Sequence, residues 1–416
     1  MKQLRYAFSR PLTQTEWDVL RSYTRRIRFI KNLGGLGRKS IRILSKPPTV
    51  EPLFPNLRSL RCLYTLKAIP LLLVPLPSLI SLSFELRNYR FLDNPRLSQK
   101  WLALLAGLSP SLKKLSIDIC TVQHMDGRTL VHLSHFPVLT QLSFGMSDTL
   151  PDQITPSESP LFFPTLYKLR LDSEFLDTIS RFLSRARLPA ISDCTTLVKT
   201  CPSKQDVSSF FSSLRTSAIG HTIEELRLEQ GFPTQDDEYV AEDPRPVLDF
   251  EDLRPCMVFS NLHHIDITLG CRVDLTDSEL LVLASSWPRL ERLDINMSWG
   301  WNTSGGITPN GLRHLLQKCP LLILVGAAID TRGYTEVPRS PASLFPRQLL
   351  IDVGDSNIDA ESVPAIAAFF AGIMSRGSRF LAWEGWGMEE LPNRGTCKMR
   401  WDEVHRQIME SIGQRS

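Results

Sequence analysis

One block recurs along almost the whole chain and restricts the possible folds more than any other feature. It has the form aromatic-or-Leu, Pro, x, Leu, x, x, Leu, x, apolar, and clear copies are FPNLRSLRC from Phe54, FPVLTQLSF from Phe136 and WPRLERLDI from Trp287. The first apolar anchors of the ten copies are Leu57, Leu79, Leu112, Leu139, Leu166, Ile191, Ile223, Leu262, Leu290 and Leu322. Their separations are 22, 33, 27, 27, 25, 32, 39, 28 and 32 residues. Most of these spacings lie in or slightly above the leucine-rich-repeat range of about 20–29 residues.

Each block predicts a short β-strand, because apolar and polar residues alternate within it. After the anchor Leu112, Leu115 and Ile117 point to one side of the strand, and Lys114 and Ser116 point to the other. Apolar residues between the blocks recur every three or four positions, which is typical of helices. The predicted helices span residues 101–108, 129–136, 175–186, 206–214, 280–287 and 312–319.

Two polar pairs mark where helices begin. Thr276 and Glu279 have the spacing of a capping box, in which each side chain satisfies an amide of the first helical turn. Ser203 and Asp206 give a similar signal. The proline before many of the strands ends the preceding helix, because proline has no amide hydrogen to donate.

A single strand–helix unit of this size cannot bury its own apolar face, whereas a stack of such units can. The sequence therefore predicts an α/β leucine-rich-repeat solenoid, with parallel strands on the concave face and helices on the convex face. Three regions follow: an N-terminal helical cap at 1–46, the repeats at 47–350, and a C-terminal helical cap at 351–416 with helices at 360–376 and 402–412. The acidic, proline-bearing segment 232–256 is predicted to be a surface loop, partly disordered.

Composition and cysteine usage indicate a soluble protein of a reducing compartment. The chain is 42% hydrophobic with a net charge of +4, and its longest apolar run, residues 68–82, is interrupted by Pro70, Pro75 and Pro77. No charged-then-apolar leader starts at Met1, and the eight cysteines include no C-x-x-C pair. We expect a cytoplasmic or nuclear monomer that does not associate with membranes.

The sequence contains no arrangement of residues that predicts catalysis. Residues 34–40 (GGLGRKS) resemble a phosphate-binding loop but lack its glycine–lysine spacing. His132 and His135 have no cysteine or carboxylate nearby at the spacing of a metal site. We therefore expect no enzymatic activity, no cofactor and no bound metal.

The strand pattern identifies a candidate binding face. Side chains two, four and six residues after each anchor point away from the core, and parallel strands place them side by side in one continuous polar surface. The candidate partner-binding residues are Lys114, Lys168, Arg170, Glu225, Arg227, Glu229, His264, Asp266, Arg292, Asp294 and Asn296.

Charge on this face favours a protein over a nucleic acid as the ligand. The N-terminal arginines with Lys113, Lys114, Lys168 and Arg170 could bind a nucleic acid or an anionic surface. However, Arg227 lies between two glutamates and Arg292 lies beside Asp294, and tracking of phosphates needs a continuous basic stripe. A third alternative is a degenerate repeat protein that has no partner.

The order of several segments resembles a known family. Three segments are similar, in sequence and in order, to segments of the mushroom-type fungal F-box/leucine-rich-repeat proteins. They are PLTQTEWDVLRSYTRRIRFI (11–30), FLSRARLPAI (182–191) and HTIEELRL (221–228). The resemblance implies the substrate-recognition part of an F-box subunit of a cullin-type ubiquitin ligase. The F-box would lie before Pro11, where the sequence has ten residues. We therefore expect a Skp-type adaptor to bind only if an F-box is supplied upstream, and the protein target is not identified by the sequence.

Overall fold

The computed structural model describes most of the chain, in two compact units. The first unit comprises Met1–Glu174 and Arg181–Ile191, and the second comprises Phe175–Ser180 and Ser192–Ser416. The described residues are 10–31, 38–49, 51–63, 76–86, 111–119, 127–149, 160–219, 221–231, 246–301, 306–335, 347–385, 388 and 393–413.

Strands of the first unit lie side by side and parallel, in chain order. They are β1 (Phe29–Ile30), β2 (Ser59–Leu63), β3 (Ser81–Leu86), β4 (Lys114–Ile119), β5 (Gln141–Met146) and, after the short β6 (Leu161–Phe162), β7 (Lys168–Ser173). Strand β6 pairs with β8 (Ala186–Arg187) in a separate small sheet. The helices of this unit that fall on described residues are α1 (Gln14–Thr24), α2 (Arg38–Leu44) and α3 (Gly127–Ser134), and α4 (Leu176–Arg185) has residues in both units.

The second unit repeats this arrangement. Its main sheet is parallel, in the order β9 (Asp193–Val198), β10 (Glu225–Gln230), β12 (His264–Thr268), β14 (Arg292–Ile295), β15 (Leu324–Gly326), β16 (Leu350–Asp352) and β17 (Arg379–Leu381). Strands β11 (Val247–Leu248) and β13 (Arg272–Val273) pair separately. The helices are α5 (Lys204–Ser217), α6 (Phe250–Leu253), α7 (Asp277–Ser286), α8 (Pro309–Lys318), α9 (Val363–Ile373) and α10 (Arg394–Gly413). Short 3-10 turns occupy Arg254–Val258 and Ala360–Ser362.

The repeated block forms the core and also joins one repeat to the next. All ten anchors are at most 1% exposed. Burying one such side chain contributes about 1.5–3 kcal/mol. The carbonyl of the residue immediately before a strand accepts two successive amides of the next repeat: Glu224 accepts from His263 at 2.8 Å and from His264 at 3.0 Å. The next repeat has the same arrangement at His263. These paired hydrogen bonds fix the register of neighbouring strands.

The predicted fold class is confirmed, and so are the helices that fall on described residues. Helices α3, α4, α5, α7 and α8 occupy the predicted segments to within a few residues, while 101–108 lies outside the described residues. Both capping boxes form: Glu279 Oε2 accepts the Thr276 amide at 2.8 Å, and Asp206 Oδ2 accepts the Ser203 amide at 2.9 Å. The C-terminal helices also form, although α10 begins eight residues before the predicted 402.

Two sequence-based boundaries differ from the structure. The predicted helical caps each contribute a strand, β1 at one end and β17 at the other, because strands of two or three residues are too short to show a periodic pattern. The predicted loop at 232–256 is wrong for residues 246–256, which form β11, α6 and the start of a 3-10 turn. These residues bury Leu248, Leu253 and Cys256 against the repeats. Residues 232–245 lie outside the described part of the chain.

Candidate functional site

The strand face is the side of each main sheet that carries the residues two, four and six positions after an anchor, and in the first unit it is rich in basic side chains. Lys114, Gln141 and Lys168 lie side by side on β4, β5 and β7, and Ser116, Ser143 and Arg170 form the next row. Lys114, Lys168 and Arg170 are exposed. Arg170 Nε lies 3.2 Å from Asp172 Oδ1. This face therefore combines long basic side chains with a row of small hydroxyl groups.

On the second unit, the strand face carries mixed charge. Glu225, His264 and Arg292 share one row across β10, β12 and β14, and Arg227, Asp266 and Asp294 share the next. Glu229 lies beside Thr268 in the third row.

Contacts within these rows hold several of the side chains in place. Arg227 Nη2 donates to Glu225 Oε2 at 3.0 Å and lies 3.4 Å from His264 Nδ1. Thr268 Oγ1 donates to Asp266 Oδ1 at 2.7 Å. Burial, followed by the charges of Arg227 and Arg292, lowers the pKa of His264. Its imidazole is therefore a neutral hydrogen-bonding group at neutral pH.

The prediction that Asn296 belongs to this face is wrong. Strand β14 ends at Ile295, and Asn296 adopts a left-handed conformation with φ of 62°. Its side chain is only 1% exposed, accepts the Leu269 amide at 2.8 Å, and donates to the carbonyls of Cys271 at 2.7 Å and Gly300 at 2.9 Å. Asn296 therefore supports the loops at the end of the repeat and does not contact solvent.

Two carboxyl groups on the strand face are unusual because they are partly buried. Burial, with repulsion from Asp266 and Asp352, raises the pKa of Asp294 to about 7. Burial also raises the pKa of Asp352 to about 6. Sequence reasoning missed Asp352, although the block FPRQLLID from Phe345 is a degenerate copy of the repeat motif, with Gln348 in place of the anchor leucine, and could have identified it.

We predict that Asp294→Asn stabilises the second unit relative to the unmodified chain, and that this stabilisation is larger at high pH than at low pH. The folded state raises the pKa of Asp294 above its unfolded value, so the stability associated with the neutral carboxyl is present below about pH 4 and is lost as the pH rises through about 7. Asparagine does not ionise and has no such loss. The free energy of unfolding of the variant, relative to that of the unmodified chain, should therefore rise by about 2 kcal/mol between about pH 5 and pH 8. Urea unfolding of both proteins across that pH range measures this difference. An advantage that does not change with pH would show that Asp294 is not desolvated in the folded chain.

The described residues do not form an obvious chemical centre. They include no group of three or more His, Cys, Asp or Glu side chains arranged to hold a metal ion. Burial raises the pKa of Cys194 to about 12 and that of Cys319 to about 11, so neither thiol ionises appreciably at neutral pH. Within the same part of the chain, no helix combines the length and apolarity that crossing a bilayer requires.

Comparison with known proteins finds only distant matches to solved structures. No family model matches the chain, and no curated protein matches its sequence. Rad7, solved in complex with Elc1 in yeast, is 13% identical, with a TM-score of 0.37, over 77% of this chain and 82% of that chain. The leucine-rich-repeat-containing protein LegL7 from Legionella pneumophila is 12% identical, with a TM-score of 0.35, over 92% and 97%. Because both TM-scores are low, the leucine-rich-repeat assignment rests on the repeated block and the parallel strand order of this chain itself.

Proposed function

We propose that the chain is a non-enzymatic protein-recognition module, and that the strand faces of its two units select a protein partner. The observation that supports this most is the in-register arrangement of charged side chains. Arg227 lies directly beside Asp266 on the neighbouring strand. Glu225 lies beside His264 in the same way, and Arg292 follows in that row one strand further on. Alternating charge at fixed spacing favours one partner in one orientation through electrostatic complementarity.

A second candidate ligand, a nucleic acid or another polyanion, has support only from the first unit, where Lys114, Lys168 and Arg170 are exposed. On the second unit the rows include Glu225, Asp266 and Asp294, which would repel phosphates. We therefore favour a protein partner over a nucleic acid.

We propose further, from the family resemblance in the sequence, that the partner is a substrate of a cullin-type ubiquitin ligase. In that role the repeats select the substrate and an F-box supplied upstream binds the Skp-type adaptor. The site of action would then be the cytoplasm, the nucleus or both.

Affinity capture tests the proposed function. We predict that a variant with Arg170→Glu, Arg227→Glu and Arg292→Glu loses the proteins captured by the unmodified chain, by about tenfold or more, because each substitution reverses a charge on the strand face. The matched control carries Arg26→Glu, Arg215→Glu and Arg289→Glu, three exposed arginines outside the strands. Both variants must retain the circular dichroism spectrum of the unmodified chain. Equal capture by the two folded variants would contradict the proposal.

A further inference from the structure

Near the C-terminal end of the second unit, the strand face becomes partly apolar. The row that contains Arg292 continues through Leu324 on β15 and Leu350 on β16 to Arg379 on β17. Both leucines are partly exposed, although they point away from the core. A solvated strand face usually carries polar side chains at such positions, so these two leucines offer an apolar surface about two strands wide.

The adjoining row places carboxyl groups directly beside these leucines. Asp266, Asp294, Gly326 and Asp352 lie next to one another on β12, β14, β15 and β16. A Cβ atom at Gly326 would lie 2.5 Å from Met297 Cγ, so the Met297 side chain fills the space over the glycine. Asp294 and Asp352 therefore lie on the strands on either side of Gly326, which Met297 covers, and Leu324 and Leu350 lie in the adjoining row.

Among the described residues, only uncharged backbone amides donate hydrogen bonds to these two carboxyl groups. The Met297 amide donates to Asp294 at 3.4 Å, and the Gly354 amide donates to Asp352 at 2.9 Å. Among the residues that the structure describes, no lysine or arginine nitrogen lies within ion-pair distance of either carboxyl group. Burial is the largest cause that raises the pKa of both groups, followed by repulsion from Asp266 and Asp352 at Asp294 and from Glu384 at Asp352. The charge of Arg292 lowers the pKa of Asp294 by less than these causes raise it, so the ionised carboxyl groups are only weakly compensated within the chain.

We propose that this patch binds one lysine or arginine side chain of the protein partner. The aliphatic stem of that side chain would lie on Leu324 and Leu350, and its cationic head would reach Asp294 and Asp352. Long basic side chains combine these two properties, since the stem is apolar and the head seeks a carboxylate. Arg292 and Arg379 lie at the two ends of the leucine row, about 14 Å apart across three strand spacings, and disfavour a second cation. This inference rests on the proposed function, because it specifies what the partner presents to the strand face.

Selection from a random dodecapeptide phage library on the purified full chain tests the inference. We expect the selected peptides to share a lysine or arginine next to an apolar residue. The synthetic consensus peptide should bind about tenfold or more weakly to an Asp294→Asn, Asp352→Asn variant, because that variant removes the charge but keeps the side-chain size. The variant should fold, since burial already favours the neutral form of both groups. Glu361→Gln with Asp402→Asn, two exposed carboxylates outside the strands, is the matched control and should leave binding unchanged.

A second peptide variant isolates the charge of the ligand. Replacing the consensus arginine with citrulline keeps its shape and removes its charge, and should weaken binding by a similar factor. The inference is overturned if no basic consensus emerges, or if the peptide binds the Asp294→Asn, Asp352→Asn variant and the unmodified chain equally. Either result leaves the proposed function standing as long as the three strand-face arginines are still required for capture.

Discussion

Replacing Trp401 with alanine is expected to lower the free energy of unfolding of the second unit by about 4 kcal/mol. Trp401 lies on α10 and is 1% exposed. Its ring centroid lies 5.5 Å from that of Phe380 and 6.2 Å from that of Phe370. Its Nε1 donates to the Ser356 carbonyl at 2.8 Å, the same carbonyl that accepts from Trp383 at 3.0 Å. Alanine would leave a large cavity between α9, β17 and α10.

Two controls accompany this prediction. Trp401→Phe keeps most of the ring and loses the hydrogen bond, so it should cost only about 1–2 kcal/mol. Met399→Ala, on the exposed side of the same helix, should change stability by less than about 0.5 kcal/mol. Urea unfolding followed by tryptophan fluorescence and circular dichroism measures all three. If Trp401→Ala cost no more than Met399→Ala, α10 would not be packed on the last repeats.

Replacing Asn296 with alanine is expected to cost about 3–4 kcal/mol, the second largest effect. The change leaves the Leu269 amide and the carbonyls of Cys271 and Gly300 without their buried partner. It also places an alanine at a φ of 62°, a conformation that asparagine tolerates better.

Glycine separates these two contributions. Asn296→Gly loses the same hydrogen bonds but adopts the left-handed conformation without strain, so it should be about 1 kcal/mol more stable than Asn296→Ala. Thermal unfolding of the three proteins provides the comparison. A neutral Asn296→Ala would mean that the side chain faces solvent, as the strand alternation alone had predicted.

The repeat pattern predicted the fold because the same residues specify the strand and its burial. In WPRLERLDI, Leu293 and Ile295 are buried whereas Arg292 is exposed, as period-2 alternation requires, and the anchor Leu290 is buried just before the strand begins. Helix starts were equally local, since Thr276 and Glu279 contact each other across one turn. Such signals lie within a few residues and can be interpreted without knowing what packs against them.

Features that depend on distant residues could not be predicted in this way. The alternation through Arg292 and Asp294 continues to Asn296, but the strand ends earlier because Asn296 binds loop groups more than twenty residues away, near Leu269 and Cys271. The raised pKa of Asp294 depends first on its burial and then on Asp266 and Asp352, which come from two other strands. The short strands β1 and β17 form only because a neighbouring strand pairs with them.

The central claim, that a protein partner contacts the strand face, is tested most directly by site-specific photo-crosslinking. A photoreactive benzoylphenylalanine replaces Ser143 or His264, one on the strand face of each unit, or replaces Gln205 or Arg289, which are exposed outside the strands. Irradiation in cell extract followed by mass spectrometry identifies any crosslinked protein. We predict a discrete crosslinked protein from at least one of the two strand-face positions and none from Gln205 or Arg289. Crosslinks from Gln205 or Arg289 alone would contradict the claim and would place recognition outside the strand face.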